Sequence, residues 1–169
     1  MDATAVLEDG FDRVRGVVHD VLDGVSADEL HGRVDEGSNP IAWLIWHMTR
    51  VQDDHIADAA GMEQVWLAQG WRDAFGLSLP AADTGFGHTP DEVAAVRVDS
   101  AGKLAGYYDA THAQTLEYLR GLDPAALDEV LDASWEPPVT LGARLVSVVA
   151  EDLQHVGQAA CVRGLLRRR

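Results

Sequence analysis

Asn39 to Gly61 reads NPIAWLIWHMTRVQDDHIADAAG, and the reading of this stretch decides the fold. Asn39 is a capping residue type, and Pro40 suits the first helical position, where its missing N–H leaves no bond unmade. Gly61 is a natural stop. The pattern predicts one helix running to about Ala60. Its first turns, Ile41 to Met48, are apolar nearly all round, so this end is buried on more than one side. The second half, Arg50 to Ala59, turns polar.

Upstream, Val6, Leu7, Phe11, Val14, Val18 and Leu22 recur at steps of three and four and predict a helix over about 3–22, capped by Asp2 and closed near Gly24. Ser26 followed by Glu29 is a capping box that starts a short helix. Gly32 and residues 35–38 read as loop. Downstream, glycines at 61, 70, 76, 85 and 87 with Pro80 break the periodicity. The expectation there is a long packed loop with one helical turn near 63–68, anchored by Trp66, Trp71, Phe75 and Phe86. Loops of this length often cover a site.

Thr89-Pro90-Asp91-Glu92 carries three helix-start signals together. Ser100 can cap a second segment, which continues through Leu104, Tyr108, Leu116 and Leu119 to Gly121. A short helix is expected after Asp123-Pro124, whereas Glu136-Pro137-Pro138 cannot be helix interior. The last helix is expected over 141–166. Val146 to Val149 lies inside its helical repeat, so no strand is assigned. The expectation is an all-α fold: a four-helix bundle in a single domain, 1–169, with one or two short extra helices.

Composition narrows the function. Thirteen Lys and Arg against twenty-eight Asp and Glu give a net charge of −15, a poor surface for nucleic acid, which is bound through basic side chains. No apolar run approaches the ~20 residues of a membrane span, and the acidic N-terminus does not read as a signal peptide. The single cysteine, Cys161, allows no disulfide within the chain and fits a cytoplasmic protein. It reads as a small core residue, not a nucleophile. Arg167-Arg168-Arg169 most simply complements a helix C-terminus and stays solvated.

Glu151 and His155 stand four apart in the last helix, on one face. Alone they read as a surface pair, or as two groups aimed at a cation. Of seven histidines, His47 stands out because it lies in the most apolar part of its helix. Alone it reads as a core histidine satisfied by its neighbours. Together the three suggest more. Val148, Val149, Leu153, Val156 and Ala159 surround the Glu151–His155 pair, and a buried carboxylate without a counter-charge is very costly. A divalent cation would supply that charge. Two His and one carboxylate suit zinc with an open position, the safer choice on chemistry alone; the same set suits non-haem iron, and nickel also stays open. Asp54 could orient a ligand or a bound water, although Asp54 and His55 read more simply as a solvated turn. Arg50 could hold an anion or pair with Asp53 or Asp54. Gln158 could hydrogen-bond within the site.

NPIAWLIWHMTRVQDDH (39–55) together with AEDLQHVGQAA (150–160) resembles the DinB-like superfamily, which includes bacterial thiol-dependent S-transferases. The resemblance implies a four-helix bundle holding a divalent metal through His47, Glu151 and His155. A His, Glu, His set is similar to that of the mycothiol-dependent branch, including the maleylpyruvate isomerase relatives, which carry a further C-terminal domain. It thus implies mycothiol as thiol cosubstrate, a small electrophile, Asp54 steering a proton, the 61–88 segment as a wall for the electrophile, and a homodimer. The alternatives are a non-catalytic metal-binding bundle, in stress response or as a dimeric scaffold, and a metal-free bundle in which Glu151 and His155 simply pair.

Overall fold

A computed structural model describes residues 2–168 of the chain. Four long helices form the frame: α1 (Ala3–Leu22), α3 (Ile41–Ala60), α7 (Ala101–Gly121) and α8 (Leu141–Leu166), with α2 (Ala27–His31) between the first two. Their main contacts run α3–α8, α8–α1, α1–α7 and α7–α3, which closes a ring. The fold is an all-α bundle, as expected. Among the described residues no helix is long and apolar enough to cross a membrane.

Local signals explain most boundaries. Asp2 accepts from the Ala5 N–H, Ser26 and Glu29 form a capping box, and Thr89 and Glu92 form another at α6 (Pro90–Ala95). Ser100 starts α7. The α3 start differs from expectation. Pro40 is itself the N-cap, with extended ψ of 158°, and no side chain caps the helix; the Pro40 carbonyl takes the first helical bond, from Leu44. The missing cap bond costs about 1 kcal/mol. Burial outweighs it: Trp43, Leu44, Ile45, Trp46 and Met48 are all in the core, at roughly 1.5–3 kcal/mol each.

The 61–88 segment holds two short helices where one turn was expected: α4 (Val65–Ala68) and α5 (Trp71–Phe75). Trp66 and Phe75 bury against Tyr107 of α7, with ring centroids 5.1 and 5.8 Å away. Phe86 does not act as an anchor; it is 91% exposed. A buried polar network ties the segment to α3. Arg50 donates to the Asp83 carbonyl (3.2 Å), to Gln64 Oε1 (2.9 Å) and to the Tyr107 hydroxyl (3.2 Å), and lies 3.5 Å from Asp53. Asp53 accepts from the Val65 and Trp66 N–H groups, both at 2.8 Å, and so serves the orphan donors that open α4.

A 3-10 turn (Pro124–Asp128) leads into a strand pair missing from the expectation, β1 (Val130–Asp132) antiparallel to β2 (Val139–Thr140). Strands this short show no alternation to read. In α8, Val148, Val156 and Ala159 are buried, but Leu153 is 47% exposed. Cys161 is exposed, not the core residue expected. Arg167 does more than stay solvated: its Nε donates to Glu29 Oε1 at 2.9 Å. Arg169 lies outside the described residues.

Candidate metal centre

The first turns of α3 face the middle of α8, and this packing brings His47, Glu151 and His155 together. One donor atom from each lies within 4.8 Å of the other two. His47 Nε2 is 3.5 Å from Glu151 Oε1, and His155 Nε2 is 2.9 Å from the same oxygen. The two imidazole centroids are 4.8 Å apart with the rings at 79°. Ligands of a tetrahedral zinc, with bonds of about 2.0–2.1 Å, stand about 3.3 Å apart. The donors are therefore near ligand spacing already.

The loop before α6 decides which nitrogen of His47 points inward. His47 Nδ1 is 2.5 Å from the Thr84 carbonyl oxygen. A carbonyl only accepts, so Nδ1 carries the proton and Nε2 is left with its lone pair. Burial above all holds the His47 pKa below its usual value, which favours the neutral ring. In that neutral tautomer the His47 Nε2 lone pair faces Glu151 Oε1, the oxygen that His155 Nε2 also meets. A cation would serve all three groups, and carbonyl support of the outer nitrogen is the usual way such a ligand is aimed. The residues present fit a divalent metal.

Gly85 makes the carbonyl contact feasible. Its φ is +88°, and a Cβ there would lie 2.9 Å from both His47 Nδ1 and Trp46 Cζ3. Trp43 stacks on His47 at 4.5 Å and 17°, and its Nε1 donates to His88 Nδ1 at 3.1 Å. His88 Nε2 meets the Asp83 carboxylate at 3.0 Å, and Asp83 also accepts from the Gly85 N–H. The site thus has one rigid wall. On the other side, His155 Nδ1 is buried without a protein partner among the described residues.

Glu151, about one-third exposed, opens onto a cleft of about 280 Å³ between α3 and α8, lined also by Val51, His55, Phe86, Ser147 and Val148. His55 is no solvated turn residue: it is half-buried, and its Nδ1 is 2.9 Å from Arg144 Nη1. Asp54 is not one of the groups meeting at the triad; its Oδ1 accepts from Gln64 Nε2 at 2.7 Å. Arg50 is spent on the buried network. Gln158 lines a separate groove beside Cys161. Sequence reading missed Thr84, Gly85 and Arg144. The glycine was the one usable signal, since a left-handed φ beside a buried histidine marks a close backbone approach.

The sequence model of the DinB superfamily matches residues 10–159. A solved structure, a conserved protein from Enterococcus faecalis, superposes with a TM-score of 0.93 at 31% identity, covering 100% of this chain and 99% of that one. No curated protein matches this sequence.

Proposed function

The chain belongs to the DinB superfamily, and on that premise we propose that it is a divalent-metal-dependent thiol S-transferase, conjugating mycothiol to a small electrophile. The observation that carries the metal is the convergence of His47 Nε2 and His155 Nε2 on Glu151 Oε1, at 3.5 and 2.9 Å. A divalent cation, zinc by the donor set, supplies the acidity that turns a thiol into a thiolate at neutral pH.

This chain's residues do the rest. Thr84 and Trp43 hold His47 in its tautomer and plane. Glu151 would offset the charge of a bound cation, and its partial exposure sets that charge beside the cleft. Val51, Val148 and Phe86 give the cleft apolar walls against which an electrophilic carbon can lie. With an alkyl or aryl halide, the sulfur–carbon bond forms as the carbon–halogen bond breaks. The halide leaves with the bonding pair, and the thiol proton passes to solvent. Asp54, tied to Gln64, takes no proton-transfer role in this scheme.

The test has two steps. Protein purified without an affinity tag is expected to hold about one transition metal per chain by elemental analysis, and His47→Ala to hold none. The loaded protein is then offered mycothiol and a chlorinated bimane, and conjugate formation is followed by fluorescence. A metal-free protein of unchanged stability would end the reading. Bound metal without turnover on several thiols would reduce it to a binding bundle.

A further inference from the structure

Two buried polar groups one turn apart on α8 lack partners. His155 Nδ1 has no hydrogen-bond partner among the described residues, and neither oxygen of Asp152, a residue 0% exposed, has one either. Residues three apart on a helix are neighbours, yet these two do not bond to each other directly. His155 Nε2 faces Glu151 Oε1 at 2.9 Å. Once that nitrogen is a ligand, the ring proton sits on Nδ1. A buried N–H without an acceptor is costly, and on a ligating histidine it is served by a carboxylate, a carbonyl or water. The carbonyls of that turn are taken by the bonds of α8 itself, and Gln158 lines a separate groove.

Asp152 belongs to a polar layer that crosses the core. On α3, Met48 packs in one apolar cluster and Ile56 in another, with Gln52 midway between them. On α7 the same two clusters hold Tyr108 and Leu116, with Thr111 between, and on α8 they hold Val156 and Val148, with Asp152 between. Gln52, Thr111 and Asp152 are each no more than 1% exposed. Gln52 Oε1, Thr111 Oγ1 and the Tyr108 hydroxyl are unpartnered among the described residues too. Contacts tie the layer together. Gln52 Nε2 donates to Thr115 Oγ1 at 2.8 Å, and Thr115 donates to the Thr111 carbonyl at 2.9 Å. Tyr108 feels the carboxyl of Asp152, whose charge is second only to burial in raising the phenol pKa. Buried oxygens of this kind are served by ordered water, which makes about three hydrogen bonds.

We propose that one water molecule of this layer joins His155 Nδ1–H to a carboxyl oxygen of Asp152, which makes Asp152 a positioning residue for the metal ligand. The water accepts from the imidazole and donates to the carboxyl, whose oxygens accept in either protonation state. Its second O–H has Gln52, Thr111 and Tyr108 oxygens to choose from. His155 is then aimed from behind by Asp152 as His47 is aimed by Thr84. This rests on the metal reading above, because a metal-free His155 can keep its proton on Nε2, toward Glu151.

Zinc-loaded protein with 15N-labelled histidine tests it. Two slowly exchanging Nδ1–H resonances are expected, one from His47 and one from His155. Asp152→Leu, apolar and of similar size, is expected to lose one of them and to bind zinc 10–100-fold more weakly in chelator competition. Its metal-free Tm should not fall, since an unpaired buried carboxyl has been removed. Asp152→Asn keeps an oxygen acceptor, and it should keep both resonances and bind within about threefold of wild type. A single resonance in wild type, or unchanged zinc affinity in Asp152→Leu, overturns the inference and leaves the metal reading standing. Weaker binding shared equally by both variants, or matched by a drop in metal-free Tm, overturns the bridge as well. Wild-type protein that binds no zinc removes the proposed function and this inference with it.

Discussion

His47 donates its Nδ1 proton to the Thr84 carbonyl oxygen across 2.5 Å, and this bond aims the opposite nitrogen at Glu151. The two partners come from a long helix and a loop with no regular structure. The network that anchors that loop therefore belongs to the chemistry of the site as much as the three donors do.

Gly85→Ala should weaken metal binding without touching a ligand. The new Cβ would press on His47 Nδ1 and on Trp46 at a φ of +88°. Loss of outer support typically costs 10–100-fold in metal affinity, and chelator competition against wild type should show a fall of about that size. Unchanged affinity would mean that Thr84 does not aim the histidine.

Glu151→Gln keeps the shape and removes the charge. Two imidazoles then face a neutral amide, and metal affinity should fall by more than the roughly 10–100-fold of an outer contact. The melting curve of the metal-free protein should move little, because Glu151 is one-third exposed. A large loss of metal-free stability would instead assign Glu151 to simple pairing with His155.

Asp152 is fully buried on α8, and neither carboxylate oxygen has a protein partner among the described residues. Burial, then the neighbouring charge of Glu151, raises its pKa well above 3.8. A carboxyl whose folded pKa is raised gives stability that is complete below 3.8 and is lost as pH rises toward the folded value. Asp152→Asn removes that loss. It should raise Tm at neutral pH by at least ~2–4 °C, for ~1 kcal/mol or more in a chain this size, and by less at pH 4. An equal effect at both pH values would count against the burial of an ionisable group.

His55 and His112 titrate in the opposite sense. Burial is the largest cause that lowers each below 6.5. The unfolded chain then binds more protons as pH falls below about 6.5, so stability drops as pH moves down through the folded values. Metal-free protein should melt earlier at pH 5 than at pH 7.5, more steeply in Asp152→Asn, where the opposing carboxyl is gone. Melting independent of pH in that variant would contradict this.

Arg50→Met should be the most damaging of these changes. It leaves the buried Asp53 carboxylate with its hydrogen bonds but without its counter-charge, and releases Gln64 and the Asp83 carbonyl. Breaking a buried pair from one side costs roughly 3–5 kcal/mol, a fall in Tm of roughly 10 °C. Metal affinity should fall too, because Asp83 also holds His88 and the Gly85 N–H. A variant that melts like wild type would show the network to be dispensable.

The long helices, both capping boxes and the Glu151–His155 spacing were legible in the sequence because each depends on residues within a few positions of one another. Periodicity, caps and stops are local, and their energies add along the chain. Pro40 as the cap, α5, the β1–β2 pair and exposed Cys161 were not legible: each depends on what the rest of the chain packs against, or is too short to carry a period. The functional details fall on the same side of that line. His47 was visible as a histidine in an oily stretch, but its tautomer is set by a carbonyl from a distant loop. His55 read as a surface residue until α8 brought Arg144 against it. A side chain's type is written in the sequence, whereas the proton it carries and the charge it faces depend on its neighbours in space. Those neighbours are chosen when the helices close around a common core.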